Sequence, residues 1–359
     1  METMLDHQTI AITEIPRLIK LHDDASNQVC AFLGECGGGK TTQVKAFINN
    51  KENNIGNFLD LNLQTREVFD MQGTLVQTVD EDGNHVTDWA HVEEFKNIVR
   101  LAKQGIRSAI FIDEFTNAET VMLGTACRLI LDKMAGSLNL VVNGITPLII
   151  VAGNRPQDNT NYNEVPNNFW DRVAVYELKP DSKLSSEYAN AEGWYYVTTS
   201  FLRQFPKAIN EGWQPENTKS ATGRGWEKIS DLEKVGIPKD LELPILQSIV
   251  GKYWANQYQS YREVIADMIP VEDVIANPTG CVIPDQERPD IMYTMCNMLS
   301  YNMNKDNASA IVQYVSRFTD TSWHVLCVSD AVKRDKKLMH NKDVKQFATN
   351  NIEVFTDLI

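Results

Sequence analysis

The sequence predicts an α/β protein in which a parallel sheet is covered by helices and is followed by a mainly helical lid domain. Three observations support this fold class. Strand-like apolar segments alternate with helical segments up to about residue 180, a glycine-rich loop joins an early strand to a helix, and the pattern beyond about residue 183 is mainly helical. Alternating strands and helices are typical of parallel sheets, which bind ligands at the carboxyl ends of their strands.

The glycine-rich loop lies between a strand and a helix. "QVCAFLG" (28–34) is an apolar, strand-like segment, and "TTQVKAFINN" (41–50) has apolar residues at helical spacing. The intervening "GECGGGKT" (34–41) matches the phosphate-loop pattern, in which glycines let successive backbone N–H groups face one concavity. Lys40 then reaches the β- and γ-phosphates, and the Thr41 hydroxyl binds Mg²⁺. A flexible turn is the alternative, and the flanking strand and helix favour the nucleotide loop.

Two hairpins are predicted among the later elements. "NFLDLNL" (57–63) alternates as a strand, and "QTREVFDM" (64–71) is helical. Residues 73–89 then form two strand-like arms around a turn at 82–84, and residues 138–149 form a second hairpin with its turn at Asn143 and Gly144. Helical segments precede the strand "SAIFIDE" and the second hairpin. Both hairpins are candidates for contact with a partner, with ordinary sheet-edge structure as the alternative.

Paired acids follow a buried strand in "SAIFIDEF". Asp113 is suited to holding Mg²⁺ through its water shell, and Glu114 to orienting an attacking water. Acids after a strand also occur as charges at the start of a helix. A phosphate loop upstream favours the catalytic interpretation.

Two asparagines end predicted strands. Asn154, in "IIVAGNRP", is placed to hydrogen-bond the attacking water or the γ-phosphate, although Asn before Pro is also common in turns. Asn62, in "LDLNL", is a candidate to contact Glu114 and hold it inactive, with a turn or cap role as the favoured alternative. Both residues would lie at the carboxyl edge of the sheet.

Two arginines are candidates for contact with the γ-phosphate. Arg172 in "NNFWDRV" precedes an edge-like strand, where it would neutralise the phosphate bound by a neighbouring subunit. Arg224 in "SATGRGWEKISDL" lies near the start of a lid helix and would couple nucleotide binding to the lid. A surface salt bridge is the alternative for each. For Arg155 two interpretations stay open, namely that it joins Arg172 in contacting the nucleotide of a neighbouring subunit, or that it lies on the surface.

The composition is that of a globular protein with two domains. The chain has 359 residues and a net charge of −14, which disfavours broad contact with a nucleic-acid backbone. Six cysteines without metal-ligand spacing predict reduced thiols, and no leader or long apolar segment is present in the sequence, so we expect a cytoplasmic protein without a membrane role. The predicted domains are 1–180, a nucleotide-binding core, and 181–359, a helical lid with a C-terminal helical region.

Taken in order, these motifs resemble the AAA+ ATPases, and within them the MoxR-like branch. "LDLNLQTREVFDMQGTL" is similar to that branch's segment that runs into a hairpin inserted in the second helix, and "GNRPQDNTNYNEVPNNFWDRV" to its stretch from sensor 1 to the arginine finger. "IVGKYWANQYQSY" resembles its lid helix. The resemblance covers most of residues 10–330 and is specific in the first half.

The resemblance implies a role for each motif residue. The implied roles are Thr41 and Asp113 around Mg²⁺, Glu114 as catalytic carboxylate, Asn154 as sensor 1, Arg172 as arginine finger acting in trans and Arg224 as sensor 2, in cis or in trans. The expected catalytic set is Lys40, Glu114, Asn154 and Arg172. The expected ATP-binding set is Gly34, Gly37, Gly38, Gly39, Lys40, Thr41, Thr42 and Arg224. Glu35-Cys36, where Pro-Gly is usual, and Val173, where Phe is usual, depart from the family pattern.

The resemblance further implies an ATP-hydrolysing chaperone or remodeller that forms a hexameric ring. Its protein client would be a protein with a von Willebrand factor A domain. A nucleic-acid motor or loader is the alternative, and it is disfavoured because the first hairpin is acidic and the second has no Lys or Arg. An assembly module that binds ATP without hydrolysis is a third possibility, against which Glu114 argues.

Overall fold

The computed structural model describes residues 9–25, 27–79, 81–156, 163–179, 181–210, 221–265 and 268–355. It divides into two compact units, Met1–Pro180 and Asp181–Ile359. Each unit is described by itself. Part of the loop between Asn154 and Asn168, residues 157–162, lies outside the described residues.

A six-stranded parallel sheet forms the centre of the first unit, as the alternating pattern predicts. Its strands are β1 (Ile10–Ala11), β2 (Cys30–Leu33), β3 (Ile55–Asn62), β6 (Arg107–Asp113), β9 (Leu148–Gly153) and β10 (Ala174–Lys179). The spatial order is β1-β10-β2-β9-β6-β3, and all five neighbouring pairs are parallel. Four short strands, β4 (Thr74–Val79), β5 (His85–Ala90), β7 (Met134–Ala135) and β8 (Leu138–Asn139), lie outside this sheet.

Burial explains the sequence pattern of these strands. Every residue of β2 and of β9 is buried, whereas β3, at the edge, is mostly half-exposed. A strand covered by helices on both faces is apolar along its whole length, and an edge strand tolerates alternation. The segments "CAFL" and "LIIVAG" therefore occupy the middle of the sheet.

Helices cover the sheet of the first unit. They are α1 (Ile15–Asp24), α2 (Lys40–Asn49), α3 (Val68–Gln72), α4 (Glu93–Lys103), α5 (Thr120–Asp132) and α6 (Asn167–Trp170). One buried cluster joins residues of α4 and α5 to apolar residues of β2, β6 and β9. This cluster fixes the strand ends at which the polar motif residues lie.

The first predicted hairpin is present. β4 and β5 pair antiparallel from Thr74 opposite Ala90 to Val79 opposite His85. Gly73, at its base, has φ +80° and lies where a Cβ would approach the carbonyl oxygen of Ala90 to 2.2 Å, so only glycine fits. Asp80, next to the turn, lies outside the described residues.

The second predicted hairpin, 138–149, is wrong in its extent. Asn143 and Gly144 do form a tight turn, with φ 52° and 80°, but a single bridge between Val142 and Ile145 flanks it. Leu148 begins β9, and residue 138 begins β8, which pairs with β7. Burial decides this outcome, because Leu148 and the residues after it fill the centre of the sheet.

The second unit is mainly helical, as predicted. Its helices are α7 (Ser182–Ala191), α8 (Tyr196–Gln204), α9 (Lys207–Asn210), α10 (Gly223–Val235), α11 (Glu242–Ile265), α12 (Val271–Ala276), α13 (Pro289–Asn302), α14 (Ala308–Val315), α15 (Thr321–Arg334), α16 (Lys342–Asn350) and α17 (Ile352–Phe355). Side-chain caps begin several of them. Thr222, for example, accepts from the N–H of Gly225 at the start of α10.

Two apolar clusters lie among the described residues of the second unit. An aromatic cluster of α8, α10 and α11 centres on Phe201, Trp226 and Tyr258, and a second cluster joins α12 to α17. The segment predicted as the lid helix lies in α11, which bends at Gly251, where φ is 80° and ψ 165°. None of the helices in the described residues has the length and apolar character needed to cross a membrane.

Candidate active site

The glycine loop, Asp113 and Asn154 converge at the carboxyl ends of three adjacent strands, whereas Arg172 precedes β10 and lies at that strand's amino end. Gly34 follows β2, Asp113 ends β6, and Asn154 follows β9. The N–H of Gly34 donates to the carbonyl oxygen of Gly153 at 3.2 Å, so the glycine loop begins beside the end of β9. Because neighbouring strands are parallel, side chains far apart in sequence meet at one edge of the sheet.

The glycine loop has the conformation that its composition predicts. Gly37 and Gly39 have φ of 74° and 96°, values that residues with a Cβ rarely adopt. A Cβ on Gly38 would lie 3.2 Å from the carbonyl oxygen of Glu35. Gly39 directly precedes α2, so the loop leads to the amino end of a helix, where backbone N–H groups and the helix dipole favour anions.

Lys40 is buried at the first position of α2. Its Nζ donates to the carbonyl oxygens of Gly34 at 2.7 Å and Glu35 at 3.0 Å, and to Asn154 Oδ1 at 3.4 Å. Lys40 as a whole is 8% exposed, and oxygen atoms surround its ammonium group. This contact set fixes the cation between the loop and the end of β9.

Thr41 and Asp113 form an oxygen pair suited to Mg²⁺. Thr41 Oγ1 lies 3.3 Å from Asp113 Oδ2, and neighbouring ligands of an octahedral Mg²⁺ with bonds of about 2.1 Å lie about 3 Å apart. The described residues contain no group of three or more His, Cys, Asp and Glu side chains arranged to hold a metal ion by themselves. Few protein ligands, completed by water and phosphate oxygens, are typical of nucleotide-bound Mg²⁺. Thr42, in the same turn of α2, is half-buried.

Glu114 adopts an uncommon backbone conformation beside this pair. Its φ and ψ are 56° and 30°, and its N–H donates to Asp113 Oδ1 at 2.9 Å. Its carboxylate Oε2 accepts hydrogen bonds from Asn154 Nδ2 at 2.9 Å and from Asn117 Nδ2 at 2.6 Å. Two amides therefore orient the carboxylate.

Asn117 is a site residue that the sequence reasoning missed. It ends the short helical turn 115–117 and reaches back three residues to Glu114. An Asn three residues after the second acid is a short-range signal, because Asn side chains commonly bond nearby backbone and turn groups. The contact nevertheless depends on the left-handed backbone at Glu114, which the sequence pattern does not predict.

Asn154 bridges the lysine and the glutamate. Its side chain is buried, with Oδ1 facing Lys40 and Nδ2 donating to Glu114. Its N–H donates to Thr116 Oγ1 at 2.9 Å. Gly153 allows this close approach, because a Cβ there would lie 2.7 Å from a ring carbon of Phe115. One amide thus connects the glycine loop with the acid after β6.

Asn62 has the cap role that was the favoured alternative. It lies opposite Asp113 in the pairing of β3 with β6, and its Oδ1 accepts from the N–H of Gln64 at 3.0 Å. The side chain caps the short helical turn 63–65. Nearby on β3, burial raises the pKa of Asp60, and the negative charge of Asp113 adds to the rise.

Arg172 lies just after α6 in the first unit. Phe169 anchors this helix by stacking on Phe115 with ring centroids 5.0 Å apart. Arg172 donates through a terminal guanidinium nitrogen to the carbonyl oxygen of Asn168, while its Nε is buried without a hydrogen-bond partner among the described residues. The arginine is half-exposed. Its action on a neighbouring subunit stays a prediction.

Arg224 and Arg155 belong to different units. Arg224 is exposed in the first turn of α10, in the second unit. The surface position considered for Arg155 is wrong, because its side chain is 13% exposed and pairs with Glu35 at 2.9 Å and Glu177 at 3.5 Å, both in the first unit. One carboxylate in the loop after β2 and one on the neighbouring strand β10 thus pair with its guanidinium.

Comparison with known proteins gives weak structural likenesses. No family model and no curated protein matches the chain. NtrX from Brucella abortus is 13% identical, with a TM-score of 0.35 over 91% of this chain and 69% of that chain. Its complex with ADP is 11% identical, with a TM-score of 0.36 over 99% and 69%. A predicted ATPase from Cytophaga hutchinsonii is 13% identical, with a TM-score of 0.33 over 81% and 76%. Likenesses this weak assign neither a family nor an activity.

Proposed function

We propose that the chain binds ATP with Mg²⁺ and hydrolyses it, as an AAA+ ATPase of MoxR-like type. The observation that carries this proposal is the convergence of the glycine loop, the Thr41–Asp113 oxygen pair and the Glu114 carboxylate at adjacent strand ends. Each group matches one need of phosphoryl transfer, namely phosphate binding, metal binding and orientation of water.

The glycine loop and α2 bind the triphosphate in this proposal. Backbone N–H groups of the loop, those of Gly37 and Gly39 among them, face the phosphate oxygens, and Lys40 neutralises the β- and γ-phosphates. The N–H of Gly38 donates to the carbonyl oxygen of Glu35 and holds the loop in shape. Thr41 and Asp113 hold Mg²⁺, which supplies neutralisation of charge on the phosphate oxygens when bound. The buried position of Lys40 supports this assignment, because a buried ammonium needs anionic or carbonyl oxygens around it.

Glu114 orients the attacking water. Its carboxylate follows β6, one residue after the metal-binding Asp113, and Asn117 and Asn154 orient it by hydrogen bonds. Asn154 also faces Lys40. The same amide therefore can sense the phosphate that Lys40 binds and adjust the carboxylate that acts on water.

The direct test measures binding and hydrolysis separately. Titration calorimetry of the full chain with MgATP is expected to show binding for the unaltered protein and for Glu114→Gln. Hydrolysis in Glu114→Gln is expected to fall at least about tenfold, because the water loses its orienting carboxylate. Glu94→Gln, which alters an acid on α4 that is paired with Arg66, serves as control and keeps its rate. Equal rates in Glu114→Gln and the unaltered chain would reject the role of Glu114.

The wider assignment is a remodeller of a protein client that works as a hexameric ring in the cytoplasm. The β4–β5 hairpin supports a protein client, because it presents exposed apolar side chains, Leu75 and Val79, on one face. Its described residues carry Glu81, Asp82 and Asp88 and no Lys or Arg, which disfavours a nucleic-acid partner. The client proposed is a protein with a von Willebrand factor A domain. Arg172 would act across the subunit boundary, and Arg224 would couple the lid to nucleotide.

A further inference from the structure

We infer that Arg155 is a positioning residue that neutralises an acidic side chain built into the phosphate loop, and thereby sets the affinity for ATP. This inference rests on the proposed function and names a determinant of binding at the same site. The loop has Glu35 at its second position. A carboxylate there places a negative charge in a loop that must accept a triphosphate.

The geometry assigns one cation to this carboxylate. Arg155 Nη2 lies 2.9 Å from Glu35 Oε1, and Nη1 lies 3.5 Å from Glu177 Oε1. Arg155 follows β9 and Glu177 is on β10, so the guanidinium extends across the end of β2, from which the loop starts. The side chains of Arg155, Glu35 and Glu177 are 13%, 25% and 20% exposed. Limited solvent access makes these charges act strongly on one another and on nearby anions.

Glu35 also connects this ion pair with the phosphate-binding lysine. Its backbone carbonyl oxygen accepts from Lys40 Nζ at 3.0 Å, and it also accepts from the N–H of Gly38 at 3.2 Å. Glu35 therefore shapes the loop through its backbone, and an electrostatic interaction of its side chain acts on this same residue. Removal of Arg155 would take from the Glu35 carboxylate, in the loop itself, the guanidinium that pairs with it at 2.9 Å.

The test is a double-mutant cycle read by calorimetry with MgATP. Arg155→Gln is expected to weaken binding at least about tenfold, because an uncompensated carboxylate then opposes the phosphates. Glu35→Gln alone is expected to bind more tightly than the unaltered chain. The double variant Arg155→Gln with Glu35→Gln is expected to recover most of the lost affinity, which a merely structural role of Arg155 does not produce.

Controls separate charge from folding. Arg155→Lys retains a positive charge and is expected to lose less affinity than Arg155→Gln. Arg66→Gln breaks another ion pair of the same unit, in which the carboxylate belongs to Glu94 on α4 and not to the loop. This variant is expected to bind MgATP as tightly as the unaltered chain does. The loss in Arg155→Gln is expected to shrink as salt rises, since salt screens charges.

The outcomes divide clearly. Weakened binding in Arg155→Gln without recovery in the double variant overturns the inference, as does unchanged binding in Arg155→Gln. In both of these cases the unaltered chain still binds ATP, so the proposed function stands. Absence of ATP binding by the unaltered chain overturns the proposed function and this inference with it.

Discussion

Glu114 combines a strained backbone with a carboxylate held by two amides. A left-handed conformation at a residue with a Cβ costs about 1–3 kcal/mol and persists only where the surroundings impose it. Here the hydrogen bonds from Asn117 and Asn154 and the bond from the Glu114 N–H to Asp113 supply that constraint. Strain of this kind clusters at functional sites, which agrees with the catalytic role proposed for Glu114.

Cys36, an exposed thiol of the phosphate loop, provides a chemical probe of nucleotide binding. Burial raises the pKa of Cys30 to about 12, so its reactive thiolate is scarce at pH 8. We expect iodoacetamide to modify Cys36 at least about tenfold faster than Cys30 in the native chain. MgATP is expected to slow the modification of Cys36, because phosphates fill the loop that carries it. Peptide mass spectrometry measures both rates.

Two variants check this protection. Cys36→Ser removes the fast reaction, and Lys40→Ala removes protection by MgATP while leaving the reaction itself. Half-buried Cys281, in the second unit, is the internal reference whose rate MgATP leaves unchanged. Modification of Cys36 at the same rate with and without bound MgATP would contradict the location assigned to the triphosphate.

Much of the candidate site follows from the sequence, because its residues lie at the ends of strands with a clear apolar pattern. Asp113 and Asn154 were predictable from position alone, since parallel strands align their carboxyl ends. Asn117 was not, because its bond to Glu114 depends on one backbone turn. The inward position of Arg155 depends on Glu177, which is distant in sequence and close only through the strand order.

At the scale of elements, the two predicted hairpins differ in what surrounds them. The arms 74–79 and 85–90 remain on the surface, so local pairing and the turn decide their structure. Residues 148–153 have the same strand-like character, but their full burial makes them a central strand. A strand pattern therefore predicts a hairpin only where no core site competes for the second arm.

The exposed β4–β5 hairpin is expected to contribute little to stability. Replacing residues 75–89 by a short Gly-Ser linker is expected to change the free energy of unfolding by less than about 1 kcal/mol and to leave ATP binding intact, because no described residue of the hairpin belongs to the buried cluster. Urea denaturation measures the change. Phe95→Ala, which removes a ring from that cluster, is the contrasting variant and is expected to cost about 3–5 kcal/mol. A large loss on hairpin replacement would assign it a structural role in place of a partner contact.

At the scale of the whole molecule, each unit contains its own apolar core. Among the described residues, the first unit has a cluster that joins one face of the sheet to α4 and α5, and the second has two clusters among its helices. Contiguous cores of this size are typical of separately organised domains. In the proposed ring, ATP hydrolysis would then drive movements of one domain against another and of one subunit against the next. Because such movements need neighbouring subunits, the mechanism depends on assembly.

Mixing two inactive variants tests the action of Arg172 across subunits. Arg172→Ala is expected to bind ATP but to lose about 10³-fold or more in hydrolysis, as removal of an arginine finger does. In mixed rings, a subunit with Arg172→Ala still supplies Glu114, and a neighbour with Glu114→Gln still supplies Arg172. Random mixing in equal amounts therefore restores about a quarter of the active interfaces of a closed ring.

The same mixture distinguishes a contact in trans from one in cis. Hydrolysis by the mixture is expected to rise well above that of either variant and to fall on dilution, because the active site then needs two chains. Mass measurement with and without ATP follows ring formation in parallel. A mixture no more active than its components, at concentrations where rings form, would place the action of Arg172 within its own chain. Arg172→Lys keeps a long cationic side chain just after α6 and is the control for local packing.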